Sequence, residues 1–403
     1  MTSADSPWLR TAYGANLVDQ SGNHARTIFE EITTLAGQYG AVNLGQGFPD
    51  TEGPAEIRDA ALRAISHGHN QYAPGSGLLP LREAISEHQQ RFYGLNVDPA
   101  QEVVVTTGAT EAIAASILAF TQAGDEVLTF EPFYDCYGAM IKLANAEHKV
   151  LPLRAPDFQP DLDELERAVN DRTRLIILNN PHNPTGAVFG TEVLDRIIAL
   201  AHKHNSLIIS DEVYEHLTFG ATHIPIASRP GGFERTITIS SAGKSFSFTG
   251  WKIGWATGPQ QLIYPVQTVK QFLSYSSGPA FQLAIAEALN LPDSFFATFA
   301  EDLGSRGEHL AAGLERAGLE VYRPAGTYFL VADLAPLGFD DATSIARMLP
   351  EKIGVAAIPL AAFCHPAGRQ DNASFLRFAF CKKPEVLDEA MRRFEGLAEK
   401  MGR

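Results

Sequence analysis

The stretch Leu207-Ile208-Ile209-Ser210-Asp211-Glu212-Val213-Tyr214 carries a short β-type run straight into an acid. The stretch Thr236-Ile237-Thr238-Ile239 leads in the same way into Ser240-Ser241-Ala242-Gly243-Lys244. The first run is apolar without alternation over its core, and both read as strands buried on both faces. The texture repeats upstream. Glu102-Val103-Val104-Val105-Thr106 precedes Gly108 and a helical pattern with Ile113, Ile117 and Phe120 on one face, which is expected to stop at Gly124. Glu126-Val127-Leu128-Thr129-Phe130 and Leu175-Ile176-Ile177-Leu178 are further strands. Between them, one helix starts at Asp161 as N-cap with Glu164 three residues on, and another places Leu194, Ile197, Ile198 and Ala201 at helical spacing. Alternating β and α segments predict an α/β fold, a mostly parallel central sheet with helices on both faces.

After about residue 290 the pattern changes. A long helical stretch spans 294 to about 317, three β-type segments cover 327–332, 355–359 and 375–380, and a closing helix runs from Pro384 to about 401. This predicts a smaller α+β C-terminal domain. The expected division is 1–50 as an N-terminal arm plus part of the small domain, 51–290 as the large domain, and 291–403 as the small one. Residues 1 to about 25 are polar and unpatterned, and read as a mobile arm.

The chain has 403 residues, enough for two lobes, with 45% hydrophobic and 20% charged residues. The 47 acidic and 32 basic residues give a formal charge of −15. Non-specific nucleic-acid binding needs Lys and Arg facing phosphates, so no nucleic-acid partner is expected. Cys136, Cys364 and Cys381 form neither a disulfide framework nor a metal-ligand spacing. The N-terminus MTSADSPWLR lacks a basic patch followed by an apolar core, and no apolar run approaches the roughly 20 residues of a membrane span. A cytoplasmic protein without a membrane partner is the expectation.

In an open α/β sheet, ligands lie beyond the carboxyl ends of the strands. The polar residues that follow the apolar runs are therefore the candidates. Taken singly, Asp211 reads as a cap or ion-pair partner and Lys244 as a solvated surface group. Together they meet the needs of pyridoxal 5′-phosphate chemistry. A carboxylate (Asp211) keeps the pyridine nitrogen protonated, and an amine (Lys244) tethers the aldehyde and shuttles a proton. Tyr214 and Asn183 can donate to the phenolic oxygen. Gly108-Ala109-Thr110, opening a helix after a strand, with Ser241 and Lys252 nearby, suits a phosphate. Asn179-Asn180-Pro181-His182-Asn183-Pro184-Thr185-Gly186 must form an irregular turn, from which Asn183 could reach both cofactor and substrate.

With these motifs in order, the chain resembles the class I aminotransferases of fold type I. The resemblance rests on Asn183-Pro-Thr-Gly186, Asp211-Glu-Val-Tyr214 and Ser241-Ala-Gly-Lys244-Ser-Phe-Ser-Phe-Thr-Gly-Trp-Lys252. More narrowly, Asn43-Leu-Gly-Gln-Gly47-Phe-Pro-Asp50, Asn70-Gln-Tyr72 and Glu131-Pro-Phe-Tyr134-Asp-Cys-Tyr137 resemble the kynurenine/glutamine/methionine branch, which includes actinobacterial N-succinyldiaminopimelate enzymes. The resemblance implies a ping-pong transfer of an amino group from an amino acid to a 2-oxo acid, with Lys244 catalytic. It implies that Gly108, Ala109, Thr110, Tyr134, Asn183, Asp211, Tyr214, Ser241 and Lys252 bind the cofactor, and that Tyr72 joins them from the partner subunit of a homodimer. Arg377 would bind the substrate α-carboxylate, with Gly47, Asn183 and Phe29 around the substrate. A guanidinium matches a carboxylate with two parallel bonds. Inside the apolar run Phe375-Leu-Arg-Phe378 its charge otherwise demands an acidic partner from the chain.

Phe29 stands where relatives carry Trp, and Tyr275-Ser276 where an aromatic residue and a His are frequent. No second arginine for a distal carboxylate stands out; Arg229, Arg323 and Arg369 stay open. Two alternatives keep a different chemistry in view. One is β-elimination of cysteine conjugates on the same scaffold. The other takes Ser241-x-x-Lys244 as a hydrolase nucleophile motif, and leaves Asp211, Asn183 and Arg377 without roles.

Overall fold

A computed structural model of the chain describes residues 6–18, 23 and 25–402. Its strands are β1 (Val42–Asn43), β2 (Val103–Thr107), β3 (Glu126–Glu131), β4 (Glu147–Pro152), β5 (Thr173–Asn179), β6 (Leu207–Asp211), β7 (Thr236–Ser241), β8 (Ile253–Thr257), β9 (Glu320–Tyr322), β10 (Phe329–Asp333), β11 (Val355–Ala356), β12 (Ile358–Pro359) and β13 (Phe375–Ala379). Seven of them form one sheet in the order β2-β8-β7-β6-β5-β3-β4. The pairs β4/β3, β3/β5, β5/β6 and β6/β7 are parallel, whereas β8 runs antiparallel to both β7 and β2. The sheet is therefore mostly parallel.

The uniformly apolar runs have the expected consequence. Ile176 and Ile208 pack into one core, while their neighbours Ile177 and Ile209 pack into another on the opposite face. A third core, around Ile57, Leu81, Trp255 and Ile285, covers the β2/β8 end. The C-terminal residues build a four-stranded antiparallel sheet, β12-β13-β10-β9, and β1 pairs with β11, tying residues 42–43 to this smaller unit. Among the described residues no helix is long and apolar enough to cross a membrane.

Register places the polar strand ends on one rim. Asn179 lies opposite Asp211 across β5/β6, and Ser241 opposite Gly254 across β7/β8. The helix Gly108–Phe120 begins immediately after β2.

Several elements differ from expectation. The 108–120 helix stops short of Gly124 because Thr121 turns extended and its hydroxyl donates to Ile117 O at 2.6 Å. Segment 355–359 splits into β11 and β12, which pair with different strands. The last helix ends at Phe394, since Gly396 takes a left-handed φ of 70° before a short turn of helix, Leu397–Lys400. The mobile-arm reading is corrected for residues 7–14. They form a helix, Pro7–Gly14, packed on the helix Asp135–Leu143, with Leu9 and Ala12 buried. Two glycines allow the contact: a Cβ on Gly14 would meet Gly138 O at 2.4 Å.

A second close approach supports the rim. Gly254 on β8 faces the Gly108–Ala109 backbone, and a Cβ there would lie 2.5 Å from Gly108 C and 2.7 Å from Ala109 N. Backbone cannot yield as a side-chain tip can, so Gly254→Ala should destabilise the protein by about 1–3 kcal/mol. Gly37→Ala, in a helix where a Cβ meets nothing within 4 Å, should be neutral or stabilising. Urea unfolding of the two variants against the parent checks this pair.

Candidate active site

The rim of the large sheet closes around one cavity, lined by Gly108, Ala109, Thr110, Tyr134, Asn183, Asp211, Tyr214, Ser241, Lys244 and Lys252. Ten of the sequence-derived candidates thus converge from five separate stretches of chain.

Asp211 ends β6 and is 4% exposed. Its Oδ2 accepts from Tyr137 Oη at 2.6 Å, and its backbone oxygen accepts from Asn179 Nδ2 at 2.9 Å. Burial pushes its carboxyl up to about 6, opposed by the Tyr137 hydrogen bond, the Val213 N–H and the charge of Lys244. Tyr137 lies one helical turn after Tyr134, whose side chain forms a wall of the cavity; the two rings meet edge to face at 5.7 Å.

Lys244 lies in the short helix Ala242–Ser245 that follows β7. Its Nζ donates to Tyr328 Oη at 3.0 Å, and Tyr328 Oη donates to Gly47 O at 2.5 Å. The side chain keeps some accessible surface because it faces the cavity, yet dense protein surrounds it. Burial lowers the amine to about 8, while Cys381 and Asp211 hold it up. No hydrogen bond joins Lys244 to Ser241, as a serine nucleophile pair would need.

At the phosphate-type end, Gly108 adopts φ 74°, and a Cβ on it would crowd Lys252 Nζ at 3.1 Å. Lys252 is itself left-handed, with φ 54°. Its ammonium is thus brought beside Gly108, where the 108–120 helix begins with Gly108, Ala109 and Thr110 on the cavity wall; the first N–H groups of a helix have no intrahelical partner.

Arg377 projects from β13 at the cavity's edge and is 3% exposed. The acidic partner from the chain that Arg377 would need without a ligand is not there: among the described residues it makes no ion pair. Its Nη1 donates to Asn183 Oδ1 at 3.0 Å and its Nη2 to Gly45 O at 2.9 Å, while its Nε has no hydrogen-bond partner. Three aromatic faces sandwich the guanidinium, Phe329 at 3.9 Å, Phe363 at 4.6 Å and Phe29 at 5.8 Å. Carbonyls and ring quadrupoles keep the charge tolerable without neutralising it. Burial still lowers the group to about 10.

Gly47 reaches this constellation through Tyr328. Tyr72 does not: in its own chain it stands apart from the cavity, 85% exposed, with its ring against Tyr275 at 5.5 Å. Sequence reasoning gave no role to Tyr137, Tyr328 or Asn179. Tyr137 had a signal, its position three residues after Tyr134 on a helix; Tyr328, 84 residues beyond Lys244, had none.

The family described as aminotransferase class I and II matches residues 39–394. The probable N-succinyldiaminopimelate aminotransferase DapC of Mycobacterium tuberculosis is 51% identical over 387 residues, covering 94% of this chain and 97% of that protein. The methionine aminotransferase of Escherichia coli is 36% identical, covering 92% of this chain and 96% of that one. The solved structure of N-succinyldiaminopimelate aminotransferase from M. tuberculosis matches with a TM-score of 0.90 at 51% identity, over 93% of this chain and 97% of that chain.

An amine lowered to about 8 should stand out chemically. In the ligand-free protein, reductive methylation of Lys244 should be half-maximal near pH 8, about two units below exposed lysines. Peptide mass spectrometry across pH 6–11, an assay range of about five units, reads this. Labelling that tracks the exposed lysines would contradict the desolvated setting.

Proposed function

The chain belongs to the class I and II aminotransferases, and on that premise we propose how its own residues carry out transamination with pyridoxal 5′-phosphate. The cavity suits such a group: a buried acid at one end, an amine facing it, an aromatic wall, and helix N–H groups with a lysine at the other end. When bound, the coenzyme supplies an aldehyde to capture the amine and a ring that takes up electrons as the Cα–H bond breaks.

The protein's part is to hold and to move protons. Asp211 is set to keep a proton on the ring nitrogen, with Tyr137 fixing the carboxylate's orientation. Tyr214 and Asn183 would hold the phenolic oxygen and Tyr134 the ring face. Gly108, Ala109, Thr110, Ser241 and Lys252 would hold the phosphate. Lys244 Nζ, lowered by burial to about 8, would take the proton from the substrate Cα as general base and give it up again as general acid. Arg377 offers its unpartnered Nε edge to the α-carboxylate, against the wall of Phe29 and Gly47. A 2-oxo acid then reverses the path at the same site, giving two half-reactions. The carrying observation is that Asp211 at the end of β6 and Lys244 in the short helix after β7 line one cavity, to which Arg377 of β13 is joined through the cavity-lining Asn183. Arg377 there still lacks a carboxylate.

The 51% identical relative supports N-succinyldiaminopimelate as the amino donor, paired with a 2-oxo acid. Residues 51–290 would form the coenzyme-holding lobe, and 1–50 with 291–403 the arm and the closing lobe. Carboxylate binding at Arg377 would draw β13 toward Lys244 and exclude water. Exposed Tyr72, Tyr264 and Phe272 (85%, 69% and 87%) support a homodimer in which Tyr72 completes the partner's site. Three buried free cysteines suit a reducing cytoplasm.

Lys244→Ala should retain coenzyme without covalent attachment and show no measurable turnover; appreciable transamination by that variant would overturn the assignment. Arg377→Ala should lose about 10- to 100-fold in kcat/KM, mainly through KM. The parent enzyme, assayed on a panel of amino donors, should prefer N-succinyldiaminopimelate to methionine. Sedimentation should show a dimer, and a fully active monomer would refute a role for Tyr72 in the partner's site.

A further inference from the structure

A second cavity of about 200 Å³ lies beside the substrate wall, lined among others by Asn16, Arg26, Phe29, Asp135, Arg347 and Arg369. Two of its lining residues tie it to the surroundings of Arg377. Phe29 faces this cavity and also flanks the Arg377 guanidinium. Asp135 lines it, directly follows Tyr134 in the chain, and its charge is felt by Arg377.

The three arginines are not equivalent. Arg347 is saturated, giving Glu31 two bonds of 2.7 and 3.0 Å. Arg26 has only a 3.5 Å contact with Glu30, both side chains more than half exposed, which is worth little. Arg369 makes no ion pair among the described residues. Its Nη2 donates instead to the amide oxygen of Asn16 at 2.7 Å, a neutral partner that orients the guanidinium and leaves its charge available. Glu131, whose carboxyl feels the charge of Arg369, is buried beneath Gly368 and occupied by the His365 N–H at 2.6 Å. Asn16 is held in turn by the helix Pro7–Gly14, anchored through the Gly14–Gly138 contact. In a chain of formal charge −15, an oriented and unpaired cation beside a substrate pocket is a local exception suited to an anion. Arg229 and Arg323, by contrast, are spent on Asp195 and on Glu308 with Glu315.

We propose that Arg369, assisted by Arg26, forms a second anion subsite that takes a carboxylate remote from the reacting carbon, the succinyl end when N-succinyldiaminopimelate is bound. Naming that end rests on the substrate reading above; the subsite itself rests on the arginines. Arg377 grips the near carboxylate and Arg369 the far one, so the two select long polycarboxylate substrates over short amino acids.

The test is a split in specificity measured on the holoenzyme. Arg369→Gln should raise KM for N-succinyldiaminopimelate about tenfold or more, with kcat, KM for methionine and thermal midpoint near parental values. Arg369→Lys should restore part of the loss. Equal losses on both donors, or none on either, would overturn the subsite. A parent enzyme that transaminates methionine but not N-succinyldiaminopimelate would instead sink the substrate reading alone. The subsite would then be judged by the same variant with 2-oxoglutarate against pyruvate as acceptor, where a selective rise for the dicarboxylate supports it and a uniform result overturns it.

Discussion

Everything at the site depends on keeping an acid and an amine together in a cavity too dry for either to be comfortably charged. Burial moves Asp211 up to about 6 and Lys244 down to about 8, each toward neutrality. Tyr137 and the Val213 N–H hold the carboxylate, and Tyr328 receives the amine. Parallel strand ends make this arrangement rigid, because β6 and β7 deliver their last residues to the same rim through fixed register. On the proposed reading, a coenzyme with a basic ring nitrogen and an aldehyde would meet both groups at once, relieving the cost of burying them.

Arg377, proposed above to hold the substrate carboxylate, follows the same logic. Its surroundings are carbonyls, an amide and aromatic faces rather than a carboxylate. An internal ion pair would have satisfied the guanidinium and closed it to ligand. Because Asn183 Oδ1 accepts from Arg377 while its N–H donates to Asn179 Oδ1 at 2.8 Å, one asparagine links Arg377 to the β5/β6 rim. The four-stranded sheet is joined to the seven-stranded one through that link, and Tyr328, just before β10, bridges Lys244 and Gly47.

Some of the fold escaped the sequence reading for identifiable reasons. Strand β4, Glu147-His-Lys-Val-Leu-Pro152, is an edge strand with charged, exposed residues, so it lacks the continuous apolar signature of its neighbours. Strand β8, Ile253–Thr257, follows directly on the Lys252 motif, and its short run, broken by Gly254 and closed by Thr257, lacks the continuous apolar signature until the Gly108 backbone is seen against Gly254. The N-terminal helix looked like an unstructured arm because its stability comes from a glycine-to-glycine contact with a helix over a hundred residues away.

The sequence alone determined the layered α/β architecture, the family, and the residue types poised at strand ends. Those features follow from local patterning: apolar runs buried on both faces, turns where glycine and proline demand them, and polar groups where a strand leaves the core. Tertiary structure alone decided which groups share one dielectric environment. The Tyr137–Asp211 and Tyr328–Lys244 bonds, the unpartnered edge of Arg377, and the separation of saturated Arg347 from available Arg369 all join residues distant in the chain. Hydrogen bonding and desolvation depend on distance in space, and only the packed fold sets that distance.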